Sequence, residues 1–263
     1  MNRQRSDQDN RSRTFVGDCA LQITQPDVEG RYVDLLGETY YRIGHYDQMR
    51  PFFMSIVSSS DHWLFISSTG GLSAGRANAE SALFPYYTDD KLTENVANTG
   101  HVAVLRVARG ERHHLWEPFS TRYAGIYAVE RNIYKNVYGD KLVFEEINHD
   151  LGLTYRYAWR TSDAYGFVES GWLTNHADEA CEVALVTGLQ NLLPYGATTA
   201  LQTTFSNLLN GYKRNELDPT SGVGMFSLSS TLTDLAEPSE SLKTTTVWQA
   251  GFGEPRHLLS PRR

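Results

Sequence analysis

Short apolar runs bounded by turn-forming residues recur along the chain from about Tyr40 onward, and each reads as a strand. Residues 40–43 and 51–57 are two such runs, and 62–67 follows after the polar interval Ser58-Ser59-Ser60-Asp61. The rhythm repeats at 101–107 and 114–119, separated by Ala108-Arg109-Gly110-Glu111. Two runs joined by a few turn residues are the arithmetic of a hairpin. Further strands are predicted at 125–131, 142–148, 154–160, 166–173, 182–186, 224–228 and 244–248, with connections carrying Gly139-Asp140, Asp150-Leu151-Gly152 and Ser162-Asp163.

A helical period shows once, over 198–212, where Leu201, Phe205, Leu208, Leu209 and Tyr212 share one face and Gly211 sits near the end. Strand following strand without intervening helices predicts a mainly β chain of antiparallel sheets in a sandwich, and disfavours βαβ units. Residues 1–13 are polar, include four arginines and lack an apolar face, so they read as a disordered tail. Residues 251–263 read as the start of a linker that stops abruptly.

Composition narrows the function. The chain has 263 residues, 40% hydrophobic and 21% charged, enough for one large domain. Its net charge of −7 argues against a general nucleic-acid binder, which needs a basic surface. Cys19 and Cys181 lie far apart and read as reduced thiols of a cytoplasmic protein. The start lacks a signal-peptide core, and no apolar run is long enough to span a membrane. Aromatic residues make up 12%, and flat rings are what sugar faces stack on.

Gly71-Leu72-Ser73-Ala74-Gly75 has the form of a nucleophile elbow, and Asp234 and His257 are the partners available in chain order. That chemistry needs a βα-alternating sheet, which the pattern lacks, so the preferred reading is a glycine-rich surface loop. The histidines form no metal-ligating pair, since His113 and His114 point to opposite faces of a strand. No metal or cofactor is called for. Glu117, Glu130, Glu145, Glu146, Asp150 and Glu169 supply carboxylates, although sequence alone cannot space them for glycoside cleavage. Among the tryptophans, Trp63, Trp116, Trp159, Trp172 and Trp248, a core position is the default. The best carbohydrate-contact candidates are Trp116, Glu117, Arg122 and Tyr123, which put rings, a carboxylate and a guanidinium beside a proline-broken strand end.

Three stretches carry a resemblance: 127–159 (YAVERNIYKNVYGDKLVFEEINHDLGLTYRYAW), Leu173-Thr174-Asn175-His176-Ala177-Asp178-Glu179, and Gly188-Leu189-Gln190-Asn191-Leu192-Leu193-Pro194-Tyr195-Gly196. They resemble the N-terminal β-supersandwich domain of cellobiose-phosphorylase-like carbohydrate enzymes, a galactose-mutarotase-like fold that precedes an (α/α)6 barrel. The resemblance implies a supersandwich over about residues 30–250 and an accessory role beside a barrel absent from this chain. It also implies carbohydrate as ligand, and support of homodimerisation. Because that family's general acid lies in the barrel, no catalytic residue is assigned. The enzyme alternative is a stand-alone aldose-1-epimerase-like protein, with His114 and Glu117 or His149 and Glu146 as acid/base pairs. A purely structural docking domain is the third reading.

Overall fold

A computed structural model of the chain describes residues 14–23, 25–86, 88–205, 207–231, 236 and 243–259. The expected tail at 1–13, Asp234, and the last four residues of the expected linker lie outside them.

The chain opens with a small hairpin, β1 (Phe15–Val16) and β2 (Cys19–Ala20), and a longer one, β3 (Glu29–Leu35) and β4 (Glu38–Gly44). A meander follows: β5 (Phe53–Ile56), β6 (His62–Ser67) and β7 (Leu72–Arg76). After the short helix α1 (Asp89–Leu92) come β8 (Gly100–Arg109), β9 (Arg112–Trp116), β10 (Val129–Asn136), β11 (Lys141–Asn148), β12 (Leu153–Ser162), β13 (Gly166–Asn175) and β14 (Glu182–Gln190). Helices α2 (Thr199–Phe205) and α3 (Asn207–Tyr212) precede β15 (Lys213–Leu217), β16 (Gly224–Leu228) and β17 (Thr245–Val247). The mainly β expectation holds, and every strand pair among the described residues is antiparallel.

A six-stranded sheet in the order β13-β12-β11-β10-β4-β3 forms one layer. Opposite it stand two three-stranded sheets, β5-β6-β7 and β14-β8-β9. The alternation of strand side chains explains the core between them. Ile133, Leu142, Phe144, Tyr155, Tyr157 and Trp159 point inward from the large sheet and pack with Leu64, Ile66, Leu72, Leu105, Val107 and Trp116 from the facing sheets. Each such fully buried apolar side chain contributes about 1.5–3 kcal/mol. A satellite core of Leu193, Ala197, Leu209 and Leu228, with Trp63 against it, joins the helices to β16.

The helical expectation at 198–212 holds over Thr199–Phe205 and Asn207–Tyr212, and one other local expectation is corrected. Leu208 is exposed, while Leu209 alone of the predicted apolar stripe is fully buried. The Gly71–Gly75 segment is no surface loop, because residues 72–76 form β7 with Ser73 wholly buried. A Cβ on Gly75 would stand 2.7 Å from the Ser81 carbonyl and 2.6 Å from the Trp63 ring. The motif's glycines thus serve close packing, and no strand-to-helix elbow exists.

The β3–β4 hairpin turns through Leu36 and Gly37, with φ of +52° and +81°. Positive φ at both central residues is the requirement of a type I′ turn, whose twist suits a two-residue hairpin.

Candidate functional site: the outer face of the six-stranded sheet

Along β10, Glu130, Asn132 and Tyr134 alternate with Arg131, Ile133 and Lys135. The second set faces the core side, so the first stands on the outer face. Pairing places Asn132 opposite Glu145, Glu145 opposite Arg156, and Arg156 opposite Trp172. These four side chains form one row across β10, β11, β12 and β13. With strands about 4.8 Å apart, the row is about 14 Å long.

The row is held by hydrogen bonds. Glu145 is buried, and its Oε1 accepts from Asn132 Nδ2 at 2.8 Å and from the Tyr134 hydroxyl at 2.6 Å. Its Oε2 accepts a short bond from Arg156 Nε. Asn132 Nδ2 also donates to Glu130 Oε1 at 2.9 Å, so one amide bridges two carboxylates. Arg42 from β4 donates to Glu130 at 2.7 Å and to Asn132 Oδ1 at 2.8 Å. His149 Nε2 lies 3.9 Å from Glu130 Oε2. Burial acts to raise the Glu130 carboxyl, but the Asn132 amide and the charges of Arg42, His45 and His149 outweigh it, and its pKa lies below the ordinary value. Tyr134 is pushed upward, first by burial and then by Glu145.

Together with Arg31, Val33 and Leu35 of β3, the residues Arg42, Glu130, Asn132, Tyr134 and Glu145 line an open cavity of about 270 Å³, next to which Arg156 continues the row. Trp172, 36% exposed, supplies a ring at the far end of the row. To a ligand the arrangement presents the partly exposed Arg156 guanidinium, Glu130 carboxylate and Trp172 ring, while Glu145 and Asn132 are buried and bonded to one another. Glu130, with its pKa lowered, is poorly suited to act as a general acid near neutrality.

The candidates drawn from sequence sit elsewhere. Trp116 is 2% exposed and its indole nitrogen donates to Glu146 Oε1 at 2.7 Å, so this ring belongs to the core and is not offered to a sugar. Glu117 and Arg122 do come together, at 3.7 Å, and Tyr123 is exposed in the same loop. That loop is pinned from below by Glu146, which also accepts from the Phe119 N–H at 2.6 Å and from Arg131 Nε at 2.7 Å. Glu146 therefore points away from His149, and the acid/base pair expected of them does not form.

A second polar chain lies between the layers. His101 Nδ1 is 2.7 Å from Glu169 Oε1, and its Nε2 is 2.9 Å from the Tyr155 hydroxyl. With Nδ1–H donating to the carboxylate, Nε2 accepts the tyrosine proton. The ring also stacks on Tyr157 at 4.2 Å. Both imidazole nitrogens are occupied and the side chain is 3% exposed, so this chain ties the layers and offers nothing to a substrate.

Among the described residues Ser73 Oγ is buried with no hydrogen-bond partner, which removes the hydrolase reading. Among the described residues, both cysteines are free and no cluster of His, Cys, Asp or Glu could hold a metal ion. No helix among them is long and apolar enough to cross a membrane. The outer-face groups Arg42, Glu130, Asn132, Glu145 and Arg156 were not singled out together by the sequence, although the alternation in Glu-x-Asn-x-Tyr over 130–134 is a legible polar stripe. The chain matches no known family model and no curated protein sequence.

Proposed function

We propose that this chain is a non-catalytic, carbohydrate-associated sandwich domain that binds sugar on the outer face of its six-stranded sheet. The observation carrying this reading is the in-register row Trp172, Arg156, Glu145 and Asn132. A polyhydroxyl ligand needs donors already fixed in place plus a ring to lie on: Arg156 and Trp172 are the reachable members of the row, and the buried Glu145, itself held by Asn132, fixes the guanidinium. A carboxylate such as Glu130, its pKa lowered by amide and guanidinium neighbours, binds hydroxyls well and protonates a leaving group poorly. The same point weighs against an epimerase, whose base works best with a pKa near neutrality. The resemblance of 127–159 to phosphorylase-like supersandwich domains adds the expectation of a helical-barrel partner and a role in shaping a sugar-binding entrance.

Titration calorimetry with glucose, galactose and cello-oligosaccharides tests the reading. Binding that Trp172→Ala weakens by about tenfold is expected, equivalent to about 1.4 kcal/mol. Absence of heat with all three classes overturns it and favours the purely structural domain. Polarimetry on fresh glucose and galactose separates the epimerase: mutarotation above the buffer rate that His149→Ala abolishes would replace this proposal.

A further inference from the structure

The strands that build the outer row also build a row on their opposite face. Tyr32, Tyr41 and Lys135 are successive partners across β3, β4 and β10, and strand alternation puts all three on the inner face. Here the six-stranded sheet extends past the sheet that faces it. Tyr32 is 70% and Tyr41 42% exposed, on the side of the sheet that elsewhere forms the core. The overhang leaves a cleft of about 360 Å³ that Ile43, Phe52 and Ile133 also line.

The cleft is shaped. The two tyrosine rings meet edge to face, centroids 5.2 Å apart and planes at 70°. Tyr41 lies across Gly30, where any Cβ would collide with the phenol, so a missing side chain makes room for the ring. Lys135 makes no ion pair or side-chain hydrogen bond among the described residues. Glu38, by strand alternation on the outer face, is paired with Lys141, and Asp140 accepts from Asn136. One ammonium thus stands beside two rings over an apolar floor, and the row from Tyr32 to Lys135 spans about 10 Å.

We infer that this cleft is a second ligand site, taking a single sugar ring that carries one anionic group, with the ring against Tyr32 and Tyr41 and the anion on Lys135. The apolar C–H face of a sugar suits an exposed phenol. A compact ammonium with no carboxylate beside it attracts an anion as a point charge and has no bias toward carboxylate over phosphate. A neutral sugar leaves the ammonium unpaired, and a small inorganic anion leaves the rings bare. The class of ligand rests on the carbohydrate reading above, whereas the site itself is separate from the outer row.

The test is calorimetric titration of the full chain with glucuronate, glucose 6-phosphate, glucose and inorganic phosphate. Wild type, Lys135→Met, Tyr32→Ala and Trp172→Ala are compared, each first shown to unfold cooperatively. Glucuronate, glucose 6-phosphate or both should bind about tenfold more tightly than glucose or phosphate. Lys135→Met and Tyr32→Ala should each remove that advantage, and Trp172→Ala should leave it intact. Glucose binding as tightly as the charged sugars, or charged-sugar binding indifferent to Lys135→Met, overturns the inference. So does the absence of charged-sugar binding alongside a concentration-dependent dimer that Tyr32→Ala dissolves, which would assign the cleft to a second copy. Loss of cello-oligosaccharide binding to the outer row would sink the function proposed above without touching this result, and the converse outcome would sink this inference alone.

Discussion

The indole nitrogen of Trp116 donates to the buried carboxylate of Glu146, 2.7 Å away, and so ties the end of β9 to the middle of β11. The same carboxylate takes Arg131 Nε and the Phe119 N–H, making it the anchor of the connection from β9 to β10. Glu146→Ala strands a buried guanidinium and should cost about 3–5 kcal/mol, read as a fall in urea midpoint. Glu146→Gln, which keeps one acceptor oxygen, should cost less.

The buried hydroxyl of Ser73 has no partner among the described residues, whereas Gly75 is hemmed in by the Trp63 ring and by backbone of Ser81 and Ala82. Ser73→Ala should therefore leave stability unchanged or raise it by up to about 1 kcal/mol. Gly75→Ala should lower it by about 1–3 kcal/mol. Denaturant titration measures both, and a fluorophosphonate probe should leave the wild-type chain unlabelled.

Strands His62–Ser67 and Gly224–Leu228 fall on the residues that the apolar pattern marks, since each is a short apolar run between polar intervals. Glu29–Leu35 escapes that pattern because charged Glu29, Arg31 and Asp34 interrupt its apolar positions, most of it is exposed, and its hairpin turns on Leu-Gly where Asn-Gly is the usual signal. Leu72–Arg76 escapes because its small residues resemble a loop until packing shows why they must be small. Within the candidate site, the polar side of β10 is readable as alternation. The meeting of Arg156 with Trp172 is not, because it depends on register between strands, which one strand's sequence does not contain. The burial of Trp116 is unreadable for a related reason: it follows from pairing opposite Leu105, and its indole partner is a carboxylate thirty positions away.

Glu130 links the outer face to pH. Its folded-state pKa lies below the ordinary 4.5, so its contribution is complete above that value and is lost as pH falls through the lower folded pKa. Stability of the wild type should drop as the medium is acidified below about 4.5. Glu130→Gln should flatten that part of the curve, as followed by urea midpoints across a pH series.

His101 holds Glu169 from β13 and Tyr155 from β12 while standing on β8 in the opposing layer. His101→Leu deprives a largely buried carboxylate of its donor and should cost about 3 kcal/mol. Hydrogen exchange should then accelerate in both β8 and β13, the two strands this contact joins.

Leu36 pays the steric cost of a left-handed conformation while 57% exposed. Leu36→Asn relieves that strain at little loss of burial and should raise stability by up to about 1 kcal/mol, seen as a higher melting temperature.

Tyr41 and Arg42 are adjacent in sequence and serve opposite clefts, one phenolic and one ionic. The turn at Leu36 and Gly37 keeps those two chemistries in phase. One residue inserted there, if absorbed by sliding β4 along β10, would deliver a guanidinium among the phenols and a phenol into the ion network, so a single-codon insertion in a surface turn should silence both faces at once.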